Sequence, residues 1–353
     1  MSKSYAWEVV VIDAALLGTE TSLGRVRRVI EEVERSSPDV QMLYLAYDDR
    51  ELDLAPSQDT SVVLCDRKRA AEAILSFYSE AKGVQPGVQH ATPWMWLAGK
   101  RILWLRRRRS PFISYFQPPK GVVCRRFPKL AVANGCPYSC AYCYLQLTLR
   151  MQPFVSLFLN LEELESELPR WEEKPRGRNG RLLLNLGELG DAVEPFPWLM
   201  GVVISAVARH AHLGVLLLTK SERIRQVPEL GPWTTLRAEP QDEACSVSLT
   251  TPENAALFER DAPPPEERLE GLAEVARETK VEAVRVRLDP IIPWGNWQGG
   301  YAALVGEIAK ELGDELELVT LGQLRFTPAL LPFVVDGGAR GAEGKGVAQS
   351  PAL

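Results

Sequence analysis

Residues 134–151 read NGCPYSCAYCYLQLTLRM, which places Cys136, Cys140 and Cys143 in a C-x3-C-x2-C loop. Thiolates are the usual ligands of iron–sulfur clusters, and four ligands complete a 4Fe–4S cube. Three cysteines within eight residues can bind three of the irons and leave the fourth without a protein ligand. An open coordination position is typical of a metal centre that binds a reactant. The loop therefore predicts a 4Fe–4S cluster with one iron open to a small molecule.

A structural zinc site and a disulfide framework are alternatives for these cysteines. Zinc sites use four ligands, commonly in paired C-x2-C spacing or with histidines nearby. The only histidines in the chain are His90, His210 and His212. Disulfide frameworks are typical of small secreted domains, whereas this chain has 353 residues, six cysteines and no recognisable secretory signal. The cluster is favoured, and another metal site or cysteines without a ligand role remain as alternatives.

The composition bounds the class of protein. With 353 residues and 46% hydrophobic content, the chain can bury a large core in about two domains. No apolar run is long enough to span a membrane, so we expect a cytoplasmic protein without a membrane partner, where thiols stay reduced. The net charge of −5 gives no overall positive field for nucleic acid.

Positive charge is concentrated locally, in four consecutive arginines at 106–109 and in Arg125 and Arg126. A run of this kind is most often a solvated surface element. Contact with the phosphates of a nucleic acid is the alternative.

Residues 1–116 are predicted to form a small N-terminal α/β domain. Short apolar runs predict strands at 8–12, 41–46, 61–65 and 102–105, and periodic stretches predict helices around 26–33 and at 69–78. The segment QPPKG at 117–121 predicts a linker.

Residues 122–335 alternate between strand and helix patterns, which predicts parallel strands with helical crossovers in a barrel or partial barrel. Strands are predicted at 129–133, 154–159, 181–186, 214–219, 244–249 and 284–288, and helices at 160–168, 199–210, 265–278 and 301–312. Asn160 followed by Glu163 predicts a capping box at the first of these helices. Active sites of such sheets lie at the carboxyl ends of the strands. The Gly/Ala-rich residues 336–353 are predicted to be disordered.

The cysteine spacing, with Tyr142 just before the third cysteine, resembles the radical S-adenosylmethionine (radical SAM) superfamily. The continuation CYLQLTLR at 143–150, followed by NLEE at 160–163, resembles more specifically the spore photoproduct lyase family of DNA-repair enzymes. Further matches are LTK at 218–220, SVS at 246–248, PEERL at 265–269 and PI at 290–291. The resemblance implies a partial (β/α)6 barrel, a 4Fe–4S cluster and SAM as cofactors, and an electron donor such as flavodoxin or ferredoxin.

The resemblance also implies roles for the residues of the cysteine loop. Cys136, Cys140 and Cys143 would hold the cluster. Tyr142 would pack on SAM, and Tyr142 and Tyr144 together would relay the radical back to the cofactor.

Three further positions are implied as contacts of SAM. Lys220 ends a strand, where an ammonium can hold the SAM carboxylate, and Ser248 would hydrogen-bond the cofactor. Gly187-Glu188 resembles the GE motif that binds the methionyl ammonium. The chemistry agrees with this role, because glycine permits a close backbone approach and the carboxylate pairs with a cation. The alternatives are a surface lysine, a serine bonded to its own strand and a polar turn at 188–191.

One departure from the family concerns the hydrogen donor. The lyases place a cysteine at the end of the second barrel strand, whereas the corresponding segment here reads NLGELGD at 185–191. Cys124 and Cys245 are the remaining candidates near predicted strands. Cys245 lies on the strand face opposite to Ser248, so we expect it to be buried as a small hydrophobe. The part of the lyases that contacts the lesion is also shortened into the tail.

The function implied by the resemblance is reductive cleavage of SAM to a 5′-deoxyadenosyl radical, which abstracts hydrogen from a substrate such as a DNA lesion. A radical SAM enzyme acting on a small molecule or peptide is the alternative, favoured by the charge of −5 and the missing donor cysteine. A third class, a cluster protein limited to binding or electron transfer, leaves Glu188 and Lys220 without a role.

Overall fold

The computed structural model describes residues 6–56, 61–82, 93–117, 126–174, 182–227, 244–279, 281, 283–324 and 328–330. The strands are β1 (Val9–Asp13), β2 (Gln41–Ala46), β3 (Ser61–Leu64), β4 (Ile102–Arg106), β5 (Ile113–Tyr115), β6 (Pro128–Leu130), β7 (Ala133–Asn134), β8 (Ser139–Cys140), β9 (Val155–Phe158), β10 (Leu182–Leu186), β11 (Leu213–Thr219), β12 (Ala244–Ser248), β13 (Glu259–Arg260), β14 (Ala283–Ile291) and β15 (Leu316–Gln323). The helices are α1 (Glu20–Ser36), α2 (Asp49–Leu52), α3 (Ala70–Lys82), α4 (Pro93–Gly99), α5 (Leu145–Thr148), α6 (Leu161–Glu172), α7 (Pro197–Ala208), α8 (Pro252–Phe258), α9 (Pro265–Glu278) and α10 (Trp297–Leu312).

A first sheet of six strands has the order β3-β2-β1-β4-β9-β7. Its neighbours pair in parallel, except that β7 runs antiparallel to β9. The strand β1 is completely buried, as expected for a central strand covered on both faces. The helix α1 packs on this sheet through Val26, Val29 and Val33, and Thr19 caps it by accepting a hydrogen bond from the Ser22 amide.

A second sheet of seven strands has the order β15-β14-β12-β11-β10-β6-β5. Its pairs are parallel, except that β5 runs antiparallel to β6. The predicted α/β class with parallel strands is confirmed. Among the described residues β5 and β15 are both edge strands, so the sheet is open and forms no closed barrel.

The two sheets share strands across the predicted linker. The strand β5 precedes residues 117–121 but belongs to the second sheet, whereas β7 and β9 follow them and belong to the first. One hydrophobic core includes side chains of both sheets, such as Ile12 and Val286. The division of the chain at 116 and 122 stays a prediction, and residues 336–353 lie outside the described residues.

Side chains alternate between the two faces of the second sheet. On β14, Val284, Val286 and Leu288 are buried in the core, whereas Arg285 and Arg287 are partly exposed on the other face. Pairing registers place Leu218 beside Ser246 and Ser246 beside Arg285 on this second face. The carboxyl ends of β10, β11, β12 and β14 therefore carry polar side chains to one edge of the sheet.

The predicted elements are largely confirmed, and the capping box at α6 is wrong. Asn160 occupies the N-cap position but makes no capping hydrogen bond with its side chain. Its amide instead pairs with the Arg108 backbone, accepting from the amide at 2.8 Å and donating to the carbonyl at 2.9 Å. These bonds satisfy backbone groups of Arg108 that are partly buried, and Glu163 forms an ion pair with Arg107. In the described part of the chain, no helix is both long and apolar enough to cross a membrane.

Candidate active site

The cysteine loop packs against the turn at 187–190, which follows β10. Gly135 and Gly190 form a parallel bridge, and the Gly135 amide donates a hydrogen bond to the Leu189 carbonyl at 2.8 Å. A Cβ atom on Gly190 would lie 2.2 Å from the Gly135 carbonyl oxygen, so the two backbones approach as closely as glycines allow. The contact brings the predicted cluster loop and the predicted GE motif together.

Gly187 makes a second close backbone approach. Its φ angle is +101°, and a Cβ atom would lie 2.3 Å from the Leu218 carbonyl oxygen. Only glycine adopts this conformation in this space without strain. The turn at 187–190 is thus held against both the cysteine loop and β11.

The three cysteines of the loop are free thiols. Cys140 is buried, whereas Cys136 and Cys143 are partly exposed. Burial raises the pKa of the Cys140 thiol to about 11, and the Lys220 ammonium opposes this effect. The described residues contain no group of three or more Cys, His, Asp or Glu side chains gathered around one metal ion. A 4Fe–4S cube binds each thiolate at a different iron, so three free thiols on one loop fit that group.

Lys220 reaches the cysteine loop from the end of β11. Its ammonium lies 3.8 Å from Cys140 Sγ, 2.5 Å from the Tyr142 hydroxyl and 2.5 Å from Glu259 Oε1. Glu259 is brought there because β13 pairs with β8, which places Glu259 opposite Cys140. The sequence did not indicate Glu259, since nothing around it resembles a motif.

Arg268, on the first turn of α9, is a second cation on Glu259. Its Nη1 lies 2.6 Å from Glu259 Oε2 and donates a hydrogen bond to the Ser248 carbonyl at 3.1 Å. Burial alone would raise the pKa of Glu259, but Lys220 and Arg268 outweigh it and lower the pKa to about 2. Arg268 Nη2 is buried and has no hydrogen-bond partner among the described residues. One carboxylate therefore faces two cations, which leaves one positive charge uncompensated in this group.

Asp191 holds the end of β11 in place. Its carboxylate accepts hydrogen bonds from the Lys220 amide at 2.8 Å and the Thr219 hydroxyl at 2.6 Å. It also accepts hydrogen bonds from the backbone amides of Val193 and Glu194 in its own turn. Residues 188–191 thus form the polar turn that is the alternative to a GE motif, and Asp191 in this turn positions the backbone of Lys220.

Glu188 lies on the other side of the turn, where it lines a small cavity with Lys129 and Gly187. The Tyr144 hydroxyl donates to the Glu188 carbonyl and lies 3.3 Å from its Oε1. Burial raises the pKa of the Glu188 carboxyl, and Arg287 opposes this effect. Tyr144 is about half-exposed, with a relative exposure of 49%.

No family model matches the chain, and no curated protein matches it. Spore photoproduct lyase complexed with dinucleoside spore photoproduct matches with a TM-score of 0.67 at 16% identity, over 95% of this chain and 83% of that chain. A variant of that lyase with bound AdoMet and dinucleoside spore photoproduct matches with a TM-score of 0.67 at 15% identity, over the same shares of both chains. The chain has the fold of spore photoproduct lyase.

The predicted roles of individual residues stay predictions, but the structure shows where each residue lies. The hydroxyls of Tyr142 and Tyr144 contact different groups, Glu259 and Glu188 respectively. Ser248 ends β12 next to Arg287. Cys245 is buried in the hydrophobic core, as expected, and Cys124 lies outside the described residues.

The arginine run is not a free basic track in this version of the lyase fold. Each of the four side chains at 106–109 contacts a protein group, and Arg125 lies outside the described residues. Arg106 contacts Trp104 and Gln152, and Arg107 contacts Glu163. Arg108 contacts Phe158 and the Pro111 carbonyl, and Arg109 contacts Glu51. These contacts support the surface interpretation over phosphate binding.

Lys100 is a further residue that the sequence did not indicate. It lies in the turn before β4, and its ammonium donates a hydrogen bond to the Cys136 carbonyl at 2.5 Å. Burial lowers the pKa of Lys100, and Cys136, Cys143 and Cys140 oppose this effect. The turn before β4 thus supplies a cation to the cysteine loop.

Proposed function

We propose that this protein is a radical SAM enzyme that carries a 4Fe–4S cluster and abstracts hydrogen from its substrate. The observation that carries the proposal is the contact between the cysteine loop and the turn at 187–190, through the Gly135–Gly190 bridge. The contact assembles three thiols, a carboxylate and a lysine at the carboxyl edge of a parallel sheet, where such sheets bind ligands.

Cys136, Cys140 and Cys143 are the residues that hold the cluster in this proposal. The bound group supplies one electron to the sulfonium of SAM, which yields methionine and a 5′-deoxyadenosyl radical that takes a hydrogen atom from the substrate. The chain orients the cofactor. An electron carrier such as flavodoxin or ferredoxin supplies the electron.

Charge at the two ends of the site matches the two ends of an amino acid. Glu188 offers a carboxylate to the methionyl ammonium. Among the described residues, Lys220 and Arg268 share one carboxylate, that of Glu259, so this group can accept the SAM carboxylate. The Gly187 backbone and Ser248 complete the set of proposed cofactor contacts.

Tyr142 and Tyr144 are the residues proposed to relay the radical. Tyr142 is fixed by Lys220 and Glu259, which suits a ring that packs on the cofactor. Tyr144 is half-exposed beside Glu188, which suits a group facing the substrate.

A DNA lesion is the proposed substrate, because lyase structures of the same fold hold a dinucleoside photoproduct. A small molecule or peptide is the second candidate. The net charge of −5 and the protein contacts of the arginine run favour it, because nucleic-acid binding depends on unpaired cations.

Anaerobic reconstitution with iron, sulfide, SAM and dithionite tests the proposal, with 5′-deoxyadenosine measured by mass spectrometry. The wild type and the core variant Cys245→Ala should form it, whereas Cys140→Ala should lose both the brown chromophore and the product. Product formation by Cys140→Ala would refute the cluster assignment. Stimulation by photoproduct-containing DNA would favour the lesion over the small molecule.

A further inference from the structure

Lys100 lies beneath the cysteine loop because of a close backbone contact. The preceding Gly99 ends α4, and a Cβ atom on Gly99 would lie 2.2 Å from the Pro153 carbonyl oxygen. The absence of that atom lets the turn before β4 approach the segment that follows α5. Lys100 is only 8% exposed as a result.

The ammonium of Lys100 has unusual surroundings for a buried charge. Its close contacts are the Cys136 carbonyl at 2.5 Å and the Trp96 ring, whose centroid lies 3.7 Å away. Asp261 acts on it only from beyond ion-pair distance. In the described part of the chain, no carboxylate lies within 4.0 Å of this ammonium.

A buried ammonium is costly unless an anion compensates it. The buried ammonium of Lys220 is compensated in the usual way, by an ion pair with Glu259. Lys100 has no such pair among the described residues, and the loop that it contacts carries three thiols, which become anions when they bind a cluster. A 4Fe–4S cluster held by three thiolates has a net negative charge, and that charge increases when the cluster is reduced.

We propose that Lys100 is a positioning residue for the cluster. It fixes the Cys136 backbone through the hydrogen bond, and its charge favours the reduced cluster and so raises the reduction potential. The electron comes from the external donor, and no proton has to move. This inference rests on the proposed function, because it requires the cluster. It also gives the first sheet a part in the redox chemistry.

The test uses the full chain, reconstituted anaerobically, and measures the reduction potential by an EPR-monitored titration. Lys100→Met removes the charge and the donor, Lys100→Gln removes the charge but keeps a donor, and Lys100→Arg keeps the charge. Lys310→Met is the control, because Lys310 lies on the surface of α10. The thermal stability of the iron-free forms is measured in parallel.

We expect both neutral variants to titrate at a lower potential, with the reduction equilibrium changed at least about tenfold, which is about 59 mV for one electron. Lys100→Arg should recover most of the shift, and Lys310→Met should match the wild type. The iron-free Lys100→Met protein should be at least as stable as the iron-free wild type, because it no longer buries an uncompensated charge.

Two results would overturn the proposal. One is a neutral variant that holds the cluster and titrates at the wild-type potential. The other is a neutral variant that is less stable than the wild type without iron, which would make Lys100 a folding residue. A wild type that binds no cluster would instead refute the proposed function, so the two failures are distinguishable.

Discussion

Lys220 and Glu259 form a buried ion pair, with Lys220 Nζ 2.5 Å from Glu259 Oε1, although they are 39 residues apart in the chain. Arg268 reaches the other oxygen of the same carboxylate. A single buried anion that compensates two cations is sensitive to mutation, because its loss leaves both cations without an anionic partner among the described residues. The same arrangement leaves positive charge that can bind an anionic ligand. Lys220 and Arg268 would not offer that charge if each had a carboxylate of its own.

Glu259→Gln should destabilise the iron-free protein by about 3–5 kcal/mol, the usual consequence of removing one partner of a buried pair. Urea unfolding followed by circular dichroism measures the change. Glu307→Gln is the matched control, because Glu307 pairs with Lys310 on the surface. The control should change the unfolding free energy by less than about 0.5 kcal/mol. Equal stability of the two variants would show that the Glu259 pair contributes little.

Glu188→Gln should weaken SAM binding without loss of the cluster. A charge-assisted hydrogen bond contributes about 1.5–3 kcal/mol, so the affinity should fall about 10- to 100-fold. Equilibrium binding of SAM to the reconstituted protein measures the effect, and the absorbance of the cluster confirms that it is intact. An unchanged affinity would mean that Glu188 is only a residue of the polar turn.

Gly187→Ala should reduce stability and SAM binding together. The new Cβ atom would meet the Leu218 carbonyl at 2.3 Å in a backbone of φ +101°, and such strain costs at least about 1–3 kcal/mol. Gly306→Ala is the control, because Gly306 lies in α10 with nothing within 4 Å of the added atom. That change should stabilise the helix by roughly 0.5–1 kcal/mol. If Gly187→Ala behaved like the control, the close approach to β11 would not matter.

Local patterns predicted the elements and the position of the cysteine loop. The helix α9 has the predicted bounds, because a 3.6-residue apolar period and proline at its start are local signals. Glu259 and Lys100 could not be predicted in the same way. Each reaches the loop through long-range packing, one through the pairing of β13 with β8 and the other through the contact of Gly99 with Pro153.

Some predictions failed because a long-range partner replaced a local one. Asn160 and Glu163 have the sequence of a capping box, yet they bond to Arg108 and Arg107 respectively. The edge strand β15 was not predicted, because its side chains are mostly exposed and its apolar pattern does not mark a core-facing strand. A tertiary contact decided the first case, and the exposure of β15 explains the second.

Stability should depend on pH through Glu194. Its carboxylate accepts the Ser221 hydroxyl at 2.6 Å and pairs with Arg223 at 3.0 Å. Burial raises the pKa of Glu194 from 4.5 to about 7, so the folded state binds the proton more tightly than the unfolded state. The contribution of this group is therefore complete below about pH 4.5 and is lost as the pH rises through about 7, by an amount on the order of 3 kcal/mol.

Unfolding free energies of the wild type and Glu194→Gln, measured between about pH 5 and pH 8, test this dependence. Glutamine still accepts the Ser221 hydroxyl but does not titrate, so the variant should lose less stability over this interval than the wild type. Parallel curves for the two proteins would show that Glu194 does not change its protonation on unfolding.

Conversion of spore photoproduct should be slow or undetectable, although the chain has the fold of the lyase. A flipped-out dinucleotide costs a few kcal/mol of unstacking, which contacts to the DNA backbone must offset. The arginines at 106–109 already contact protein groups, which makes this run a poor track for phosphates. The segment at 185–191 has no cysteine to return hydrogen to a thymine radical, and Cys245 is buried in the core.

The assay incubates the reconstituted protein with photoproduct-containing DNA and follows thymine and 5′-deoxyadenosine by mass spectrometry. We expect 5′-deoxyadenosine from slow uncoupled cleavage and little or no thymine, and Cys245→Ala should give the same result. Thymine formed over many turnovers would contradict the prediction and require a hydrogen donor in place of the missing cysteine, with Cys124 as the first to replace. A loss of that activity in Cys245→Ala, with the cluster intact, would instead identify the core thiol as the donor.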